Sequence, residues 1–329
     1  MRRLSLFLII LLSKQLQVFA QQWTNVDSSF GPLPSSVHIY FTNDPIDTGL
    51  FRAYYLIADL KDKKLDFTVD TTLGRRLNPQ QFYSKNNNPL VVLNASFFSF
   101  ATNQNLNIVV KDGEMVGYNI HTINGRGKDT FTYRHPLGSA IGISKKRSAD
   151  IAWLYTDSSM KYPLATQWSL GPFKDSSAHI SFETVDRLTA VMPEPHSGNV
   201  SSWFKPWKMR TAIGGGPVLL QQGEIAITNN EEIRFAGKAI NDKHPRTAMG
   251  YTADGKLIIL MVEGRNKMAH GATLEQLAKI FKQLGCVEAL NLDGGGSSCM
   301  LVNGKPTIQV SDKDGQRPVP AVFIIRLKK

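Results

Sequence analysis

Along most of the chain, apolar residues come in short runs rich in β-branched and aromatic side chains, which predicts strands rather than helices. Tyr54–Asp59, Phe67–Asp70, Leu90–Ser96, Ala140–Ile143, Arg246–Tyr251, Leu257–Glu263 and Val319–Leu327 are the clearest of them. Asp112-Gly113, Asp254-Gly255 and Asn303-Gly304 each lie between two apolar runs and predict hairpins, because a tight hairpin turn needs residues that tolerate positive φ. One stretch has the helical period instead. Leu274, Leu277, Ala278, Phe281 and Leu284 form a single apolar stripe, Thr273 and Gln276 make a capping box ahead of it, and Gly285 stops it. Beyond this helix, Leu290 and Leu292 alternate with Asn291 and Asp293. In a strand that spacing buries the leucines and turns the polar pair to the other face. Few helices among many strands predict an α+β fold, a single mixed, strand-rich domain whose motifs converge on a surface cleft. Residues 21–50, with Pro32, Pro34 and Pro45, read as an irregular N-terminal arm ahead of a domain over 51–329. The Pro-, Ser- and His-rich stretch 156–206 reads as long surface loops, and no internal repeat is found.

The first residues follow a different rule. Arg2 and Arg3 precede the apolar run Leu4–Leu12, and Val18-Phe19-Ala20 supplies small residues ahead of a cleavage point before Gln21. This is the pattern of a signal peptide over 1–20, too short to span a membrane. No cysteine follows the run, which argues against a lipid anchor, and no later run reaches spanning length. The expected product is exported, periplasmic or extracellular, of bacterial character, with no stable membrane span after cleavage.

Composition narrows the choice of chemistry. At 42% hydrophobic and 20% charged residues, the 329-residue chain has enough apolar material for a packed core and is not a disordered type. Two cysteines, Cys286 and Cys299, exclude a disulfide scaffold and a Cys-rich zinc site; they read as two buried small side chains or as one disulfide. A net charge of +11 suits an anionic partner without naming one. Lys145-Lys146-Arg147 lacks interleaved aromatics, so nucleic acid is not expected. The seven histidines show no H-E-x-x-H pattern, and no G-x-S-x-G elbow is present, which disfavours zinc and serine hydrolases.

The densest candidate site is Asn291-Leu292-Asp293-Gly294-Gly295-Gly296-Ser297-Ser298. Three consecutive glycines let backbone come close to a ligand and free N–H groups to cradle an anion. Gly214-Gly215-Gly216-Pro217 is a second glycine run, and neither run has the form of a nucleotide loop. Asn94-Ala95-Ser96-Phe97-Phe98 ends an apolar strand on a polar residue; it matches a glycosylation sequon, but a strand end is a poor place for a glycan. Arg246-Thr247 and Glu263-Gly264-Arg265 stand at the same end of one predicted hairpin, which brings two arginines and a carboxylate side by side.

Together these segments resemble the phosphodiester glycosidase family. The resemblance rests on His244-Pro245-Arg246-Thr247-Ala248-Met249-Gly250, Glu263-Gly264-Arg265, the helix after Gly271 and the Leu290–Ser298 segment. Asn94-Ala95-Ser96-Phe97-Phe98, Gly214-Gly215-Gly216-Pro217 and Arg317-Pro318-Val319-Pro320 also match, in family order, over roughly residues 90–327. The family usually has Gly at the position of Ser96 and often Asp at that of Glu263, so both departures bear on substrate; residues 145–205 match nothing in it. The resemblance implies hydrolysis of a sugar-1-phosphodiester at the anomeric C–O bond. It assigns Asp293 as nucleophile or base and Glu263 as acid/base partner or orienter. Arg246, Arg265 and Arg317 would clamp the phosphate. Asn94, Phe98, Gly215, Gly216, Thr247, Asn291, Gly294, Gly295, Gly296, Ser297 and Ser298 would hold sugar or phosphate. No cofactor is expected; a divalent cation would have only Asp293, Asn291 and Glu263 to hold it. Two other readings are a metal-assisted phosphodiesterase cutting the P–O bond and a non-catalytic binder of anionic glycans.

Overall fold

The computed structural model describes residues 21–189 and 203–328, so the expected signal peptide over 1–20 lies outside the described residues. Antiparallel sheets dominate. The largest has eight strands, in the order Thr24–Asn25, Val37–Thr42, Ala53–Asp59, Lys256–Val262, Arg246–Thr252, Cys286–Asn291, Val218–Gln221 and Glu224–Ile225. A seven-stranded sheet is ordered Lys205–Pro206, Leu164–Thr166, Ala149–Tyr155, Gly138–Ser144, Met209–Gly214, Val109–Lys111 and Glu114–Gly117. A five-stranded sheet runs Lys305–Pro306, Met300–Val302, Val91–Asn94, Ala321–Leu327 and Leu65–Thr71. A small three-stranded sheet joins Phe173–Asp175, Tyr133–His135 and Ile123–Asn124. The architecture is α+β, with five α-helices among the described residues. None of the described helices is long and apolar enough to cross a membrane.

The run Lys256–Val262 shows why many strands here are continuously apolar. Leu257, Ile259 and Met261 face a core shared by all three large sheets, with Leu290, Ile141, Trp153, Leu93 and Phe323. Ile258, Leu260 and Val262 face the opposite way, into a second core beneath the helix Leu274–Gln283. A strand covered on both faces has no polar side to alternate with. The helix is capped as its sequence dictates: Thr273 accepts from the Gln276 N–H at 3.1 Å, and the Gln276 side chain accepts from the Thr273 N–H at 3.0 Å. Gly285, at φ 75°, ends it. All three expected hairpins form, and at Asp112-Gly113 and Asn303-Gly304 both turn residues have positive φ, the geometry that matches strand twist. Cys286 and Cys299 are free and buried, and burial pushes both thiols up to about 12.

The N-terminal segment corrects one expectation. Residues 21–50 are not an irregular arm: Val37–Thr42 pairs along its full length with Ala53–Asp59 inside the eight-stranded sheet. Val37 and Ile39 alternate into the shared core with no exposure, and the three prolines flank the strand instead of interrupting it. The stretch 156–206 is also less irregular than expected, holding Leu164–Thr166, Phe173–Asp175, the helix Phe182–Thr189 and Lys205–Pro206; residues 190–202 lie outside the described residues.

One buried carboxyl couples two sheets. Glu288 accepts from the Tyr251 hydroxyl in its own sheet and from the Ile151 N–H, at 2.8 Å, in the seven-stranded sheet. Burial pushes its pKa up to about 7. A carboxyl raised in the folded state stabilises the fold fully below its ordinary value of 4.5, and that contribution is lost as pH rises through about 7. Glu288→Gln should therefore remove about 2–3 kcal/mol of pH-dependent destabilisation, read from urea unfolding at about pH 5 and about pH 8. An equal loss in both proteins would contradict this.

Candidate active site

The site forms where ends of the eight- and five-stranded sheets meet, and Asn94 makes the join. It is fully buried at the end of Val91–Asn94. Its Oδ1 accepts from the Thr247 hydroxyl at 2.8 Å and from the Cys299 N–H at 3.0 Å, and its Nδ2 donates to the Asp293 carbonyl. Thr247 also lies 3.3 Å from the Ser298 hydroxyl. Backbone bonds continue the seam. Leu292 N–H reaches the Thr247 carbonyl, Asp293 N–H the Ala95 carbonyl and Gly295 N–H the Pro245 carbonyl, each at 2.8 Å. Asn94, Thr247 and Ser298 thus shape the loop from behind; none is exposed to a ligand.

The glycine run then turns across the surface, with a guanidinium against Gly295 and another against Gly296. A Cβ on Gly294 would meet the Pro245 carbonyl at 2.8 Å and Arg246 Cδ at 3.8 Å. On Gly295 it would meet the Arg265 guanidinium at 3.2–3.5 Å, and on Gly296 the Arg317 guanidinium at 2.1–3.0 Å. The run is glycine because the Pro245 carbonyl at Gly294 and the Arg265 and Arg317 guanidinium groups at Gly295 and Gly296 occupy the space that side chains there would need. The three arginines are not equivalent. Arg246 is buried, donating to the Ala272 carbonyl at 3.0 Å and the Asp242 carbonyl at 3.2 Å, with its guanidinium 5.4 Å from the Phe235 ring centroid. Burial, then nearby Arg265, lowers its pKa to about 10, so it stays charged at neutral pH. Arg265 is exposed and 3.2 Å from His244 Nδ1. Arg317 is partly exposed, ion-paired with Asp312 at 2.6 Å and 3.4 Å from the Ser297 hydroxyl.

Asp293 is the free carboxyl of this loop. Its Oδ2 is buried without a hydrogen-bond partner. Burial pushes its pKa up to about 7, against the opposing pull of the Ser297 hydroxyl, the Arg317 charge and the Gly294 backbone. A half-ionised carboxyl beside two accessible guanidinium groups is equipped to serve as base or nucleophile next to a bound anion.

Two expectations change in the structure. Glu263 is only 2% exposed and has no hydrogen bond or ion pair with Asp293. It accepts from Asn266 Nδ2 at 2.9 Å and the Gln309 N–H at 3.2 Å, and lies 3.9 Å from Arg52 Nε. Its strand-end side chain turns inward, so it orients the Arg265 loop and is poorly placed to donate a proton at an open cleft. Asn291 does not share an open face with Asp293. It is fully buried, its Nδ2 donating to the Gly216 and Leu292 carbonyls at 2.9 Å and its Oδ1 unpartnered. No group of three or more His, Cys, Asp or Glu suited to a metal ion occurs among the described residues.

The second glycine run backs the first. The Gly216 N–H donates to the Asn291 carbonyl at 2.7 Å, and a Cβ on Gly215 would strike that carbonyl at 2.5 Å. A Cβ on Gly216, at φ 125°, would meet Glu232 Oε2 and Arg234 Nε at 2.4 Å. Glu232 was not foreseen. It is buried and accepts from the Ser139 and Thr228 hydroxyls at 2.6 and 2.7 Å, Trp153 Nε1 at 3.2 Å and the Val218 N–H at 3.0 Å. Nothing local in Asn229–Arg234 separates it from half-buried Glu231. Phe98 packs in a small core and is 8% exposed, with Arg76 above its ring. His244 sits beside Arg265, and burial plus the charges of Arg246 and Arg265 lower its pKa; its place next to Arg246 in sequence was the available signal.

A family model described as phosphodiester glycosidase matches residues 87–326. An uncharacterized SPbeta prophage-derived protein, YomE, of Bacillus subtilis is 44% identical over 73 residues, covering 22% of this chain and 11% of its own length. The mouse N-acetylglucosamine-1-phosphodiester alpha-N-acetylglucosaminidase is 31% identical over 101 residues, 30% of this chain and 19% of its own. The matched stretches thus span a fifth or less of these relatives. A hypothetical protein from Synechocystis superposes with a TM-score of 0.59 at 15% identity, covering 94% of this chain and 64% of its own. The zebrafish N-acetylglucosamine-1-phosphodiester alpha-N-acetylglucosaminidase catalytic domain does so at 0.56 and 19%, covering 94% and 89%. At these identities the two structures show a shared fold.

The electrostatics of Asp293 can be checked without substrate. A carboxyl-carbon NMR titration should find it near 7, far above the ordinary 3.8, and Arg317→Gln should raise it further by removing a charge that favours the carboxylate. Titration close to 4 in the folded protein would show that the loop leaves Asp293 open to water.

Proposed function

The chain belongs to the phosphodiester glycosidase family, and from that premise we propose that it hydrolyses a sugar-1-phosphodiester between the anomeric carbon and its oxygen. The observation that carries this reading is the Asp293 carboxyl, raised to about 7, on a loop whose glycines lie under the Arg265 and Arg317 guanidinium groups. The two arginines hold the scissile phosphate. Asp293, ionised, either attacks the anomeric carbon or takes a proton from the water that does, through an oxocarbenium-like transition state. The anomeric C–O bond breaks and its electron pair leaves with the phosphate as a phosphomonoester; water supplies the hydroxyl of the freed sugar. A phosphomonoester has a second pKa of about 6, so it departs as an anion without the proton that a sugar alcohol needs. A site with one working carboxyl and an arginine clamp is adequate for such a leaving group. That accounts for Glu263 being committed to the Arg265 loop.

The name of the mouse relative makes N-acetylglucosamine the first sugar to try. The signal-peptide pattern over 1–20 supports an exported enzyme acting on phosphorylated glycans outside the cytoplasm.

Turnover of a methyl N-acetylglucosamine-1-phosphodiester in ¹⁸O-labelled water tests the reading. The label should enter the sugar; label in the phosphate would mean P–O cleavage, and saturable binding without product would mean a binding protein. Asp293→Asn should cost at least about a thousandfold in kcat with the fold intact. The kcat/KM of the wild type should rise with pH through about 7, because only the ionised Asp293 acts as base or nucleophile.

A further inference from the structure

Beside the phosphate clamp stands a further guanidinium, that of Arg76, which the proposed cleavage does not use. Arg76 has no hydrogen bond or ion pair with any other described residue; its contacts are two rings, with its guanidinium carbon 5.2 Å from the Phe98 centroid and 5.4 Å from that of Phe100. Arg317 lies over the same Phe100 ring at 5.3 Å. The two charges are therefore no more than about 10.7 Å apart, the sum of their distances to one centroid. Their backbones are tied as well, since Leu77 and Val319 exchange N–H···O bonds of 3.1 and 2.8 Å. Phe100 is 64% exposed and packs against the Phe98 ring with centroids 4.7 Å apart. Rings that hold an unpaired arginine by cation–π contact keep it oriented without neutralising it.

We propose that Arg76, presented by Phe98 and Phe100, is an aglycone subsite for a second anionic group, so that the preferred substrates are sugar-1-phosphodiesters whose aglycone is itself charged, as in chains of phosphodiester-linked repeats. The inference rests on the proposed cleavage and names its substrate class. Arg317 takes the scissile phosphate and Arg76 the next anion along. A short linker between the two anions passes over the Phe100 ring, whose apolar face suits its carbon atoms. The net positive charge, which persists without residues 1–20, favours the approach of such polyanions.

The test compares two substrates, N-acetylglucosamine-1-phosphoglycerol with and without a terminal phosphate on the glycerol. The wild type should show a kcat/KM about tenfold or more higher for the doubly charged diester, a preference that shrinks as salt is raised. Arg76→Gln should bring the ratio of the two values close to one, Phe100→Ala should reduce it, and Arg76→Lys should restore part of it. Cleavage of both substrates by the wild type at equal kcat/KM, or a preference unchanged in Arg76→Gln, would overturn the subsite while leaving the cleavage reading intact. Turnover of neither substrate would overturn both.

Discussion

One buried asparagine side chain holds the candidate site together. Asn94 ends a strand of one sheet, yet its oxygen is used by Thr247 and Cys299 and its nitrogen by the Asp293 carbonyl. Donors and acceptors sealed from water are costly to leave unpaired, so each partner is held where Asn94 can reach it. Thr247 begins a strand of the other large sheet, and Asp293 begins the glycine loop. A single amide thereby registers two sheets against the loop that carries the reactive carboxyl. The side chain is wholly enclosed, so the folded chain offers no accessible amide at the Asn94 sequon.

Around this clasp the site divides into layers. Buried groups, Arg246, Glu263, Asn291 and Glu232, fix the backbone of the loops. The partly exposed Asp293, Arg265 and Arg317 are what a ligand can meet. The carboxyl is raised by burial and kept near neutrality by Arg317 and Ser297. Binding a phosphate at Arg317 would alter that balance directly, because it offsets the charge that favours the carboxylate.

Much of this was legible in the sequence because its cues are local. A capping box, a helical stripe and a C-terminal glycine define the helix Leu274–Gln283, and Asp-Gly or Asn-Gly pairs mark the hairpins. The triple glycine announced close approach, although what approaches is a backbone carbonyl and two arginine side chains as much as any ligand. Other features depend on distant partners and left no local trace. Val37–Thr42 is a sheet strand because of Ala53–Asp59, and its flanking prolines masked it. Glu232 is buried through Ser139, Trp153 and Val218, far away in sequence. Glu263 sits at the expected hairpin end, but spacing could not say that Gln309 and Asn266 would occupy its oxygens.

The most direct test of the clasp is the turnover number of Asn94→Asp for release of free sugar from a sugar-1-phosphodiester, measured beside the thermal unfolding midpoint. The substitution keeps the shape, removes the donor to the Asp293 carbonyl and sets a negative charge against it. The account predicts a folded protein whose kcat falls about a hundredfold with KM little changed, because the phosphate clamp survives while the carboxyl is displaced. An unchanged kcat would contradict it and show that Asp293 is positioned without Asn94.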